Sequence, residues 1–119
     1  MQKINLAEKL SLFTDYWRPR IVADLNGQQV KLAKLKGEFE WHHHEREDEL
    51  FLVLRGRLTI KLRDGDVRLE EGECVVVPRG VEHKPVAEDE AHVLLFEPAT
   101  TLNTGNVRSE RTVEELKRL

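Results

Sequence analysis

Histidines and carboxylates are concentrated in one stretch, GEFEWHHHEREDELF, which covers residues 37–51. It holds three of the five histidines of the chain and six carboxylates. If the first half is a strand, side chains alternate between its faces, so His42, His44 and Glu40 share one face. Two parallel imidazoles could then grip one metal ion, and a turn could bring Glu49 beside them. A solvated charged loop is the alternative, which the spacing alone favours.

A fourth ligand would have to come from elsewhere in the chain. His83, in PRGVEHKP, is the obvious candidate, although a lone histidine in a strand is more often structural. Phe39, Trp41 and His43 would lie on the face opposite the other histidines, so His43 is not expected to be a ligand. We interpret His92 as a structural residue.

Two spaced motifs make the chain resemble the cupin superfamily. The first motif, two histidines, a glutamate and a glycine, is matched at His42, His44, Glu49 and Gly56. The second, a glycine, a Pro-x-Gly turn and a histidine, is matched at Gly72, Pro78, Gly80 and His83. Two departures are small. Four residues separate Gly37 from the first histidine where the family pattern has five, and Ala87 replaces the closing asparagine of the second motif.

The resemblance implies both a fold and a site. The fold is all-β, a cupin-type double-stranded β-helix or jelly-roll barrel with short N- and C-terminal helices. Residues 1–119 would form a single domain with a barrel core at about 28–97. The chain is similar to small single-domain cupins, the monocupin type of the mannose-6-phosphate isomerase-like proteins. By the same resemblance, the metal ligands are His42, His44, Glu49 and His83.

Three neutral histidines and one carboxylate would leave a position open on the ion for water or a substrate oxygen. They suit one divalent transition metal ion, Fe, Mn, Zn, Ni, Co or Cu, without choosing among these. We therefore predict a metal-dependent enzyme on a small polar substrate, resembling a sugar-phosphate isomerase or a dioxygenase. Glu40 is the only base that the alternation suggests, and a rim carboxylate in solvent is the alternative. A non-enzymatic cupin that binds or senses a small ligand is the alternative function.

The middle of the chain has the pattern of short strands that a barrel requires. RLTIKLR alternates between apolar and charged residues, and Asp64-Gly65 predicts a two-residue turn of type I′ character that pairs Ile60 with Leu69. ECVVVP, VEHKPV and AHVLLFEP predict three more strands, with the acidic EDE separating the last two. In the first of these three, we expect Cys74 to be a buried apolar residue.

Both ends of the chain carry helix signals. Asn5 can cap a helix, with Glu8 three residues on, and this helix is predicted to end near Trp17 because a proline follows closely. TVEELKRL has a capping-box pattern from Thr112 to Glu115, which predicts a short C-terminal helix. The segment EPATTLNTGNV ahead of it is predicted to be ordered but irregular, with polar residues that reach a pocket or make turns.

The strand ELFLVL separates two apolar faces. Phe51 and Val53 would line the cavity together with Glu49. The outward set would consist of Leu50, Leu52, Leu54, Phe39 and Trp41. Such a surface has to be covered by the N-terminal helix, the partner sheet or a second subunit. Since cupins commonly dimerise through such surfaces, the resemblance and the pattern together predict a homodimer.

Length and composition narrow the class of protein. A chain of 119 residues with a net charge of −3 and mixed signs suits one domain and gives no electrostatic reason to expect nucleic acid as a partner. One cysteine excludes an internal disulfide and fits a reducing compartment. No apolar run exceeds five residues and no signal-peptide h-region is visible. We expect a cytoplasmic protein with no membrane association and a small molecule as its partner.

Overall fold

The computed structural model describes residues 1–119. Its elements are α1 (Leu6–Leu10), β1 (Arg20–Leu25), β2 (Gln28–Glu38), β3 (Glu49–Arg55), β4 (Leu58–Leu62), β5 (Gly65–Leu69), β6 (Cys74–Val77) and β7 (His83–Pro98). The strands pair in the order β1-β2-β7-β3-β6, all antiparallel, and β4 joins β7 to β5. The predicted all-β jelly-roll barrel is confirmed. The single helix has neither the length nor the apolar character of a transmembrane segment.

Strand β7 organises the barrel and corrects one prediction. It pairs with β2 over most of its length, with β4 through its first four residues and with β3 through residues 92–96. VEHKPV and AHVLLFEP are therefore one strand of 16 residues and not two. The acidic stretch 88–90 does not break it because its three side chains are exposed and need no turn to reach water.

The β4–β5 hairpin has a different register from the predicted one. Ile60 pairs with Val67, and Leu58 pairs with Leu69, so the turn consists of Arg63 and Asp64. The partner of each residue moves by two positions, which leaves every side chain on the predicted face because strand side chains alternate with a period of two. The apolar face was therefore predicted correctly although the turn was not.

Both terminal predictions change when tertiary contacts are included. Asn5 caps α1 by accepting from the Glu8 amide as predicted, but the helix ends at Leu10, not near Trp17. The backbone amide of Trp17 donates to Lys34 O, at 2.9 Å, which holds the segment after α1 against β2. No helix forms at the C-terminus, where the Leu119 amide donates to Ile21 O at 3.0 Å. An extended backbone beside β1 replaces it.

The core lies between the inner faces of the strands, and a second apolar cluster lies outside. In the second cluster, Leu10 and Phe13 cover Leu32 and contact Leu54, so the N-terminal segment covers part of the outer face, as one predicted option required. The rest stays partly open, and Val76 on β6 is 51% exposed. Cys74 is exposed too, contrary to the prediction, because it pairs with Leu52 on the outward side of β6.

Candidate metal centre

The fold brings together the four residues that the motifs pointed to. One ligand atom from each of His42, His44, Glu49 and His83 lies within 4.8 Å of every other. All four residues are buried, with 2%, 4%, 4% and 0% of their surface exposed. Buried ionisable side chains of this kind need a partner, so the cluster calls for a physical explanation.

Individual backbone hydrogen bonds position these residues, and the histidines at 42 and 44 do not lie on a regular strand. The amide of His42 donates to His83 O at 3.0 Å, and the amide of His83 donates to His42 O at 2.9 Å. His44 O accepts from the Gly80 amide at 2.8 Å, and Glu49 is the first residue of β3. In place of the strand expected at 39–44, the structure has a single antiparallel β-bridge between His42 and His83. His42 and His44 both still reach the cluster, because the backbone of His42 is bonded to His83 and that of His44 is bonded to Gly80.

Two of the histidine rings have their tautomers set by the backbone. Nδ1 of His42 is 2.8 Å from Glu40 O, and Nδ1 of His83 is 2.9 Å from Val81 O. A carbonyl oxygen only accepts, so Nδ1 carries the proton in both rings. Their Nε2 atoms then present a lone pair to the cluster, which is the arrangement seen for metal-ligating histidines.

Three atoms at the centre of the cluster have no hydrogen-bond partner. They are Nε2 of His44, Nε2 of His83 and Oε1 of Glu49. Oε1 of Glu49 is 3.5 Å from the first nitrogen and 3.3 Å from the second. Two ligands that are each about 2.1 Å from one ion lie roughly 3.4 Å apart at a tetrahedral angle. The three orphaned atoms and the donor set therefore fit a transition metal ion.

The electrostatics of the cluster favour the ligand forms of its residues. Burial, and then the neighbouring His83, lower the pKa of His42 to about 4, so its imidazole is neutral at pH 7. Burial alone would raise the pKa of Glu49, but contacts with His44 and His83 outweigh it and hold that pKa well below its usual range. A neutral imidazole and an ionised carboxylate are the forms that bind metal.

A cavity of about 40 Å³ adjoins His42 and Glu49. Its apolar walls come from Ala33, Leu35, Phe39, Phe51, Val93 and Leu95. Phe51 lies there as predicted, and Val53 is wholly buried in the adjoining core without lining the cavity. Phe39 corrects the prediction of an outward face, because its ring stacks on Trp17 and meets the ring of His42 edge-on.

The other two residues of the predicted outer face lie where alternation placed them. The Arg63 guanidinium lies 3.7 Å from the centre of the Trp41 ring. His43 is half-buried and stands outside the cluster, with its Nε2 3.8 Å from the carboxylate of Glu45. The carboxylate of Glu40 accepts from the Ser109 hydroxyl at 2.9 Å and does not line the cavity. Its role as a base stays a prediction.

Two buried charges beside the cavity were missed by the sequence reasoning. Lys31 and Glu97 form an ion pair across β2 and β7, and Glu97 lines the cavity. Burial, and then the charge of Glu49, raise the pKa of Glu97 well above its usual range, against the lowering influence of Lys31. A signal existed, since Lys31 and Glu97 occupy inward positions of their strands next to the apolar inward residues Ala33 and Leu95.

The segment after β7 also contributes to the site, and its residues carry no metal-ligand signature. The side-chain oxygen of Asn106 accepts from the backbone amide of His43, and the backbone amide of Asn106 donates to His43 O. A Cβ at Gly105 would lie 2.2 Å from His43 O and 3.1 Å from the His42 ring, so only glycine fits there. Asn103 lines the cavity. One of the two options for this segment, reaching a pocket, is thereby confirmed.

Comparison with known proteins places these features in a family. A family model described as a cupin domain matches residues 25–97. A solved cupin-2 domain protein of Shewanella frigidimarina is 47% identical, with a TM-score of 0.79 over 80% of this chain and 93% of that one. A solved protein of Neisseria meningitidis is 33% identical, with a TM-score of 0.75 over 82% and 100% of the two chains.

The similarity to curated relatives covers a smaller share of each chain. Protein YdbB of Bacillus subtilis is 38% identical over 64 residues, which are 53% of this chain and 57% of that protein. The acireductone dioxygenase of Bacillus subtilis is 28% identical over 83 residues, or 66% of this chain and 47% of that enzyme. The chain thus spans about half the length of these relatives. From the family match, the two solved structures and the motif geometry, the chain belongs to the cupin family.

Proposed function

We propose that His42, His44, Glu49 and His83 hold one divalent transition metal ion. The observation that carries this proposal is the group of three buried, unpartnered atoms of His44, Glu49 and His83 that converge on one point. Leaving one such group unsatisfied costs about 1–3 kcal/mol, and an ion would satisfy all three at once. Three nitrogens and one oxygen suit Fe, Mn, Co, Ni, Cu or Zn.

The protein would be a metal-dependent enzyme that acts on a small polar substrate. When bound, such an ion supplies an open position that polarises a substrate oxygen or, for a redox metal, takes part in oxygen chemistry. Phe39 and Phe51 keep water away from this position, and the backbone contacts of His42 and His83 keep their Nε2 atoms directed at it.

A dioxygenase-like reaction is better supported than isomerisation. The distant relative named acireductone dioxygenase and the apolar walls of the cavity both favour it. An isomerase needs a base at the substrate. Glu40, the base expected from alternation, is hydrogen-bonded to Ser109 and lies off the cavity, which favours a solvent-side role for it.

A non-enzymatic cupin that captures a small ligand is the second candidate. The size of the cavity favours it, because about 40 Å³ has room for only a few water-sized groups. The two functions predict different outcomes with oxygen. An enzyme of the dioxygenase type consumes oxygen with some member of a panel of small hydroxylated and carbonyl compounds, whereas a binding protein is stabilised by a ligand without turnover.

The protein is also proposed to form a homodimer through the outer face of the sheet. A row of apolar residues crosses the sheet there through cross-strand pairs, comprising Val30, Phe96, Leu50 and Val76. The N-terminal segment covers the neighbouring Leu32, and Val76 stays exposed. Sedimentation should give twice the 13.9 kDa mass of one chain, and a mass of one chain would contradict the dimer.

Metal analysis of protein purified without an affinity tag or added metal tests the metal site. Wild-type protein should carry close to one transition metal ion per chain, and His42→Ala should lose it. His43→Ala is the matched control because His43 lies next in sequence and outside the cluster. Wild-type protein that takes up no metal, or His42→Ala that keeps a full equivalent, would contradict the proposal.

A further inference from the structure

We infer that Glu97 recognises a hydroxyl group on the small ligand that occupies the cavity beside the metal site. The inference rests on the proposed metal site and adds a substrate class to it: short molecules with one oxygen for the ion and a hydroxyl group for Glu97. Three features of the cavity support it: the pairing of Glu97, the energetic cost of that pairing, and the lack of any other free polar side chain.

The first feature is that only half of the Glu97 carboxyl group has a partner. Oε1 lies 2.8 Å from Nζ of Lys31, and these residues are 2% and 1% exposed. Oε2 is buried and has no hydrogen-bond partner. Glu97 lines the same cavity as His42 and Glu49, so a ligand that enters the cavity lies beside a carboxyl group with one unsatisfied oxygen. That carboxyl group also lies next to the carboxyl group of Glu49.

The second feature is the free-energy cost of burying the charged pair of Lys31 and Glu97 inside the barrel. Taking two charges out of water is costly, whereas burying an apolar pair is favourable, and replacing buried ion pairs with apolar residues is often neutral or stabilising. The inward neighbours of Glu97 on β7 are Val93 and Leu95, so an apolar side chain would suit the surroundings. A stabilising role alone does not account for the pair, whereas a role in ligand recognition does.

The third feature is that no other side chain in the cavity can recognise a hydroxyl group. His42 and Glu49 belong to the metal cluster. The amide of Asn103 is used twice, donating to Arg111 O and accepting from the Val113 amide. The indole N–H of Trp17 donates to Lys36 O at 2.9 Å. Every remaining side chain that lines the cavity is apolar.

A hydroxyl group is the partner that fits Oε2 best. It can donate to a carboxylate and can also accept from a carboxylic acid, so it satisfies Glu97 in either protonation state. A second anionic group in place of the hydroxyl group would be repelled by the neighbouring carboxylates of Glu97 and Glu49. The volume of about 40 Å³ limits the ligand to a short molecule.

Cobalt-loaded protein provides the test, with ligand binding followed by the visible absorption of the bound ion. The probes are glycolate against acetate and 3-hydroxypropionate against propionate, pairs that differ by one hydroxyl group. The wild-type preference for the hydroxylated member should fall roughly tenfold in the double variant K31M/E97M, the loss of one buried hydrogen bond. The double variant is used because it does not leave one buried charge unpaired. If K31M/E97M does not fold, the same preference is measured in K31L/E97L.

Two controls accompany these variants. E38M/K84M removes a partly exposed ion pair across the same two strands and should keep the wild-type preference. E97Q retains a polar group facing the cavity and should keep most of the preference. Wild-type protein that binds no cobalt overturns the metal site and the inference with it. Protein that binds one cobalt per chain, with the same preference in K31M/E97M as in wild type, overturns the inference alone.

Discussion

Single and double substitutions of Lys31 and Glu97 measure how much the buried pair contributes to the free energy of unfolding, independently of any role in ligand binding. The side chains are 1% and 3% exposed, so both charges lie outside the reach of solvent. Removing one partner of such a pair costs about 3–5 kcal/mol, because the other charge stays buried without compensation. Replacing both with apolar residues ranges from neutral to about 4 kcal/mol of stabilisation. Lys31→Met and Glu97→Met should each destabilise the fold, and K31M/E97M should be at least as stable as wild type.

The deficit of Lys31→Met should depend on pH in a definite direction. Burial and the charge of Glu49 already raise the pKa of Glu97, and losing Lys31 removes an influence that lowers it. A carboxyl group with a higher pKa in the folded state binds more protons when folded, so its contribution to stability is complete below the unfolded pKa. That contribution is lost as the pH rises through the folded pKa. The deficit of Lys31→Met should therefore grow as the pH rises through the raised pKa that Glu97 has in the wild-type fold.

Urea unfolding of metal-free protein, followed by tryptophan fluorescence, measures these free energies. A change of 1 kcal/mol corresponds to a Tm shift of about 4 °C for a domain of this size, so the single variants should lose more than 10 °C. E38M/K84M, which removes a partly exposed pair, should stay within about 1 kcal/mol of wild type. A double variant as unstable as the sum of the two single variants would refute the reasoning, since the pair would then be a net stabiliser.

Three further predictions concern the metal site. Because the pKa of His42 is lowered to about 4 in the folded chain, the unfolded chain binds more protons below pH 6.5. Metal-free protein should therefore lose roughly 3 kcal/mol of stability between pH 6.5 and pH 4 in urea titrations, and His42→Phe should lose correspondingly less. Gly105→Ala should cost more than 2 kcal/mol and weaken metal binding in a chelator competition, because its Cβ would clash with His43 O and its φ is +56°. Gly27→Ala, at a positive φ with open space around it, should cost only about 1 kcal/mol and leave metal binding unchanged. Cobalt at 100 times its Kd should raise the stability of wild-type protein by about 2.7 kcal/mol and leave the stability of His83→Ala nearly unchanged in thermal scans; equal stabilisation of the two proteins would contradict the ligand set.

Alternation alone predicted the faces of β3 and of the β4–β5 hairpin, whereas the members of the metal cluster came from the resemblance of two spaced motifs to the cupin superfamily. The alternation of β3 correctly separated Phe51 from Leu50, because adjacent side chains on a strand point to opposite sides whatever the strand pairs with. The same period kept the apolar face of the β4–β5 hairpin correct although its register moved by two residues. That resemblance implied His42, His44, Glu49 and His83, which the barrel then brings within reach of one ion.

Features that depend on distant contacts could be decided only by the tertiary structure. The capping pattern at Thr112 predicts a helix, but hydrogen bonds to Ile21 keep the end of the chain extended, and local propensity is weak against such contacts. Phe39 lies in the cavity because Trp17, from a remote segment, stacks on it. The pairing of Lys31 with Glu97 joins residues 66 positions apart. Alternation shows that each charge points inward, but only the pairing of β2 with β7 shows that the two charges meet beside the metal site.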